Sequence, residues 1–243
     1  MTRATIGAYC LLVLAYILGC GALGWFGWFL WAGARPIVNL SLATPTALAF
    51  DALLSLVFFV QHSVMIRRSF RARFRAVLPD YYQPAFYAIV SGVVLLLLPA
   101  LWQPSRLDLL SLEGPWRWPA RGVFLAATAG MVWTFASLRH FDPIGRRPLL
   151  AHLRGVPMPA MPLTIRGAYR WVRHPIYTFF LLMIWASPDL TADRLLFNGL
   201  WTIWMVVGTR LEERDLAAEF GEGYREYQRK VPMLMPSRLR PRV

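Results

Sequence analysis

The chain is poor in most of the side chains from which soluble enzymes build their sites. In 243 residues it has two cysteines, Cys10 and Cys20, and a single lysine, Lys230. The cysteines share one apolar run at a spacing that points them to different faces of a helix. They cannot bridge each other, and no Cys-x-x-Cys is present. No Gly-x-Gly-x-x-Gly follows a strand pattern, because Gly221 and Gly223 stand in an acidic, helical context without a third glycine. There is no P-loop and no nucleophile elbow. The four histidines, His62, His140, His152 and His174, lack the i, i+4 spacing of a metal pair, so no metal site is expected. Internal repeats and low-complexity segments are also missing. Dinucleotide-fold, nucleotide-hydrolysing and serine-hydrolase chemistries are thereby excluded by motif.

What is abundant is apolar surface and arginine. Hydrophobic residues make up 57% of the chain, the mean hydropathy is +0.43, and the formal charge is +13 from 26 basic and 13 acidic residues. Long uncharged runs at this composition indicate a membrane protein. The arginines cluster at the ends of the apolar runs, which fits orientation and contact with anionic lipid headgroups. No basic patch lies on a polar fold of its own, so nucleic acid is not an expected partner.

Six crossings are expected, at 6–31, 46–66, 84–102, 120–138, 176–186 and 195–209, the first being a retained helix rather than a signal peptide. Five arginines in 67–75, and seven with five prolines in 139–173, mark the cytoplasmic side. Both termini are then cytoplasmic. The fold class expected is an all-α polytopic membrane bundle forming one domain over 1–243. Four amino-terminal spans occupy 1–138 and a cytoplasmic connection 139–173. A helical hairpin at 174–209 leads to a cytoplasmic, amphipathic helical segment at 210–243, broken near Gly221 and Gly223. The loop 103–119 is expected to be a mixed-charge connection.

Three groups of residues carry possible chemistry. Arg173-His174-Pro175, with Tyr169 and Tyr177 close by, sets a cation and a titratable ring where the hairpin begins. Its plain alternative is an arginine snorkelling to headgroups beside a polar cap. Glu212-Glu213 sits at the inner end of the last span, where consecutive acids need solvent or a cation. The two project about 100° apart, so at most one is expected to face the hairpin's basic foot. Third, Gln61-His62 lies in the last turns of the second span, and His140 with Asp142 ends the fourth. His140 and Asp142 form either a base with its orienting group or a helix cap.

The ordered set Gly167-x-Tyr169, Arg173-His174-Pro175-x-Tyr177, Glu212-Glu213-x-x-Leu216, Phe220-Gly221, Tyr224, Tyr227 and Val231-Pro232 resembles the isoprenylcysteine carboxyl methyltransferase superfamily over about residues 164 to 236. Gln61-His62-Ser63, and His140-Phe141-Asp142 with Gly145-Arg146, resemble its methanethiol S-methyltransferase branch. The resemblance implies S-adenosylmethionine as cofactor, bound without a Rossmann domain by Tyr169, Arg173, His174, Tyr177, Glu212 and Glu213. It implies a small-molecule methyl acceptor, first a thiol, with a prenylcysteine carboxylate or lipid as alternatives. His140, Asp142 and His62 are then the candidate catalytic residues. Membrane lipids are expected partners and no obligate protein partner is evident. The readings from other classes are a transporter lined by Asp51, Gln61 and His62, and a non-catalytic membrane assembly factor.

Overall fold

The computed structural model describes residues 3–138, 142–158 and 162–237. It is mainly helical and divides into two compact units, 1–106 with 142–160, and 107–141 with 161–243. His140 lies outside the described residues.

The first unit holds α1 (Arg3–Ala32), α2 (Thr44–Ile66), α3 (Arg68–Phe74), α4 (Gln83–Leu101) and α6 (Arg146–Leu153). Helices α1, α2 and α4 are long and apolar enough to cross a membrane. The chain is a membrane protein on that ground. Successive contacts of α1 with α4 climb together, from Ala15 against Ala85 and Ala88 up to Phe29 against Trp102, so the two run parallel. Gly92 makes the approach possible, since a Cβ there would lie 2.8 Å from the Leu18 carbonyl oxygen. Between α2 and α4 the order is reversed: His62 meets Tyr87, Gln61 meets Ser91, and Asp51 meets Gln103. Such an antiparallel α2 returns the chain between two parallel helices.

A polar knot ties one end of this unit. The buried Asp51 accepts the Gln103 backbone N–H at 2.8 Å. The Gln103 amide in turn accepts from Leu40 N–H and donates to the carbonyls of Val38 and Leu101. These bonds satisfy backbone groups that the loop after α1 would otherwise leave unpaired. At the other end, α6 seats Leu149 against Ala8 and Leu12 of α1. The connection between the fourth and fifth apolar segments therefore contains a helix, with Pro148 in its first turn and Gly155 just past its end.

The second unit holds α5 (Arg117–Ser137), α7 (Pro175–Trp185), α8 (Ala192–Phe220) and α9 (Glu222–Lys230). It also has an antiparallel two-stranded ribbon, β1 (Asp108–Ser111) and β2 (Asp189–Thr191). The ribbon adds a short strand pair to a mainly helical unit, its first strand lying in the mixed-charge connection 103–119. Arg117 fixes it by a two-toothed bond to Asp189, at 2.7 and 2.5 Å, and Ser111 donates to the same carboxylate. Thr191 then caps α8 by accepting the Arg194 N–H. The expected fourth, fifth and sixth crossings fall on α5, α7 and α8. Of these α7 is a shorter apolar helix of 11 residues, while α5 and α8 carry charged residues in their end turns. Helix α8 does not stop at Thr209 but continues to Phe220, and the break with α9 comes at Gly221 as expected.

Candidate active site

The site belongs to the second unit. A 3-10 turn, Gly167–Arg170, leads into it. Gly167 has φ of +53°, and a Cβ there would meet the Ser137 hydroxyl of α5 at 2.0 Å. Only glycine fits this strained and crowded point. After Val172, which is buried, His174 adopts φ of −125° ahead of proline, and Pro175 starts α7. The stretch is held by the segment that follows α9. The Arg173 N–H donates to the Pro232 carbonyl at 2.9 Å, the His174 N–H to Met233 at 3.1 Å, and the Thr178 hydroxyl to Leu234 at 2.6 Å. Tyr224, Tyr227 and Val231 form the apolar core beneath, and the Tyr227 hydroxyl donates to the Tyr169 carbonyl at 2.6 Å.

On this frame Arg173, His174, Tyr177, Glu212 and Glu213 come together. The Arg173 Nε donates to Glu213 Oε1 at 2.6 Å, and its Nη1 donates to the carbonyls of Gln228, at 3.0 Å, and Val231. The His174 Nε2 is 3.2 Å from the same Glu213 oxygen, and Gln228 Nε2 donates to Glu213 Oε2 at 3.2 Å. Tyr177 donates its hydroxyl to Glu212 Oε2 at 2.7 Å, and its ring lies parallel to that of His174, 5.6 Å between centroids. His174 Nδ1 faces Glu212 Oε2 across 3.7 Å. Both glutamates therefore engage the foot of α7, where one was expected. They serve different partners because the imidazole stands between them.

The two carboxylates differ in exposure, 13% for the Glu213 side chain against 44% for Glu212. Burial alone would raise the Glu213 pKa, but the hydrogen bond and charge of Arg173, with His174 and Gln228, hold it below its usual range. Burial lowers the His174 pKa against the pull of Glu212 and Glu213, and Arg173 adds to the lowering. Burial raises the Tyr169, Tyr224 and Tyr227 hydroxyls, so all three are neutral.

These shifts give the site an acid-labile stability. Between the ordinary histidine value of 6.5 and the lower folded value, the unfolded chain binds a proton that folded His174 refuses, so stability falls as pH drops below 6.5. The Glu213 contribution is complete above its ordinary 4.5 and is lost as pH falls through its lower folded value. Melting curves of detergent-solubilised protein should drop first below 6.5 and again below 4.5. His174→Gln should flatten the first fall and leave the second. An unchanged profile in that variant would refute the assignment.

Not every expected site residue joins this cluster. His62 and Asp142 belong to the first unit. The His62 ring is bonded to the Tyr87 hydroxyl at 2.9 Å. Asp142 accepts the Arg147 N–H in the first turn of α6, which is a capping contact on the following helix. Tyr169 contributes its carbonyl to Tyr227, and its phenol lies within the field of Glu212. Gln228 was missed. Its signal was its place beside Tyr227 and one turn after Tyr224, on the one buried face of a charged helix. Among the described residues no group of three His, Cys, Asp or Glu side chains is placed to hold a metal.

With this geometry the chain can be set beside known proteins. It is 39% identical over 207 residues to a methanethiol S-methyltransferase of Pseudomonas deceptionensis, covering 79% of this chain and 74% of that protein. A methanethiol S-methyltransferase of Mycobacterium tuberculosis is 35% identical over 207 residues, covering 82% and 83%. Nurim of Rattus norvegicus is 28% identical over 188 residues, covering 70% and 68%. No family model and no solved structure matches the chain.

Proposed function

The chain belongs to the family of the methanethiol S-methyltransferases, and from that premise we propose that it is a membrane methyltransferase moving a methyl group from S-adenosylmethionine to a small thiol such as methanethiol. The observation that carries this reading is the cluster at the feet of α7 and α8, where two carboxylates, an imidazole and a phenol converge. When bound, S-adenosylmethionine supplies an electrophilic methyl group on a sulfonium.

The residues present fit a cationic, amine-bearing molecule. Glu212 is partly open, its carboxylate accepts from the Tyr177 hydroxyl, and His174 Nδ1 faces it across 3.7 Å. The Tyr177 ring, parallel to that of His174 and bonded through its hydroxyl to Glu212, is an aromatic group that suits a positive charge. Arg173 is committed to Glu213 and to backbone carbonyls, so its part is to hold the frame. Holding the donor and the acceptor in line accounts for most of the rate in such a displacement. The thiol must also lose a proton, and the base we propose for it is one histidine, either His140 or His62, Asp142 being the third residue proposed for this step.

The membrane arrangement proposed is six crossings, with α5, α7 and α8 completing the set and both termini on the arginine-rich inner side of a bacterial-type inner membrane. The cluster then opens towards the cytoplasm, where the donor is made. The test is direct. Purified protein given labelled S-adenosylmethionine should transfer label to methanethiol and release dimethyl sulfide, and should leave prenylcysteine and phospholipid unlabelled. Transfer only to the larger acceptors would replace the thiol reading, and binding of no donor would remove the enzyme reading altogether.

A further inference from the structure

We infer that the first unit carries a binding site for the sulfur acceptor: a small cavity where the end of α2, α3 and the start of α4 meet, in which methanethiol sits as its thiolate beside the guanidinium of Arg71. The inference rests on the thiol acceptor proposed above and adds the residues that would hold it. All the walls of the cavity belong to the first unit.

The cavity follows from a bend in the chain. Arg67 is extended, so α2 ends at Ile66 and α3 starts afresh at Arg68. Phe70 and Phe74 stand one turn apart on α3 and stack at 5.4 Å, and Phe74 stacks on Phe86 of α4 at 5.5 Å. With Met65 of α2 and Tyr87 of α4, these rings enclose about 90 Å³. Polar bonds behind the walls fix them. Gln61 donates to the Met65 sulfur at 3.1 Å, and the Tyr87 hydroxyl is bonded to His62 at 2.9 Å. The buried Gln83 donates its amide to the carbonyls of Arg71, at 3.2 Å, and Leu78, at 3.0 Å. A cavity of about 150 Å³ takes benzene, so one of about 90 Å³ takes roughly three or four heavy atoms. Methanethiol and dimethyl sulfide are within that size, and a prenyl or acyl chain is not. The lining also suits sulfur, since sulfur and aromatic rings attract each other and Met65 already shares the space with the rings. Arg71 is the charged residue on the lining, and among the described residues no carboxylate joins it there. Its Nε donates to Gln83 Oε1 at 3.4 Å, which leaves its terminal nitrogens without a protein partner among the described residues. The nearby Asp80 is instead bound to Arg75 at 2.9 Å. A cation beside a thiol raises the share of thiolate, and guanidinium N–H groups can donate to the sulfur. A small carboxylate would match the charge, but it presents about four lone-pair sites and meets donors on one side only. The chemical step is loss of the S–H proton, the electron pair staying on sulfur and the proton passing to water at the exposed mouth beside Arg71.

The test titrates carbon-13-labelled methanethiol and dimethyl sulfide, without donor, into the full chain in detergent and reads binding from the methyl resonances. Methanethiol should bind threefold or more tightly at pH 9 than at pH 7. Dimethyl sulfide, which has no S–H, should bind within twofold at both. Arg71→Gln, a change at an exposed side chain, should abolish the pH gain and leave dimethyl sulfide unchanged. Phe70→Trp, from α3, and Met65→Phe, from α2, should each fill the cavity and weaken both ligands fivefold or more. Butanethiol and acetate should not bind. If Arg71→Gln keeps the pH gain, the guanidinium is not the counter-ion and the inference fails. Displacement of dimethyl sulfide by phosphatidylglycerol micelles, but not by phosphatidylcholine, would make the cavity a lipid seat and overturn it too. Unchanged binding and an unchanged KM for methanethiol in both filling variants overturn this inference alone, whereas failure of wild-type protein to methylate any thiol overturns the acceptor reading.

Discussion

Arg173→Met should destabilise the protein by about 3–5 kcal/mol and lower its melting temperature by on the order of 10 °C. The size follows from what the guanidinium holds. Its side chain is 9% exposed and ties the start of α7 to Glu213 on α8, to Gln228 on α9 and to Val231 beyond it. Without it, the Glu213 charge is left in a buried place with only a neutral imidazole and an amide, and two carbonyls lose their donor. Arg173→Lys should recover little, because a single ammonium cannot span a carboxylate and two carbonyls in one plane as the fork does. Arg173→Met with Glu213→Met should recover much of the stability, since apolar side chains of similar volume can replace a buried pair. That double variant should still fail to bind donor normally, having lost the partner that orients His174. Circular-dichroism melts and limited proteolysis of the 231–237 segment measure the first effect. A single variant melting within a degree of wild type would show that the pair does not hold the frame.

The same pair marks the boundary of what the sequence disclosed. Residue types and spacing were enough to place Arg173, His174, Tyr177 and the two glutamates at one site, because Pro175 fixes where α7 starts and a run of apolar residues fixes how far α8 carries Glu212 away from the turn. They were not enough to say who pairs with whom. Arg173 was expected only as one of the residues around the donor. It meets protein partners 40 to 58 residues away, and no local pattern records such a contact. The ribbon escaped notice for a related reason. β1 is four exposed residues without apolar alternation, and its pairing with Asp189 comes from Arg117 and Ser111, not from a buried face. In contrast α1, α2 and α4 were legible from composition, since a run of about 20 apolar residues has few stable environments other than a bilayer. The proposed crossings by α5, α7 and α8 are less legible because charged end turns and a short α7 blur the same signal.

Replacing the base that takes the thiol proton should lower turnover at pH 7 by about 10² to 10⁴ and lower it much less at pH 9. A thiol such as that of cysteine ionises near pH 8.5, so only a few per cent is thiolate at pH 7. An alkyl thiol lacks the neighbouring amides that help cysteine ionise, which makes a base more necessary and the recovery at pH 9 partial. The His62 ring is bonded to the Tyr87 hydroxyl at 2.9 Å and lies 5.2 Å from the Phe58 ring. Tyr87→Phe should therefore cost less than His62→Ala, because it removes an orienting bond and leaves the basic nitrogen. His140 has its own test in His140→Ala beside Asp142→Asn, the second expected to be milder. Asp142 already accepts the Arg147 N–H, so part of its loss will be structural and independent of pH. Donor affinity, measured on each variant, separates a lost base from a disturbed fold. The histidine whose loss is repaired as pH rises, with donor binding intact, is the base. A loss that stays constant from pH 7 to pH 9 in both variants, or no loss in either, would mean that the thiol arrives ionised and that the site needs only to align it.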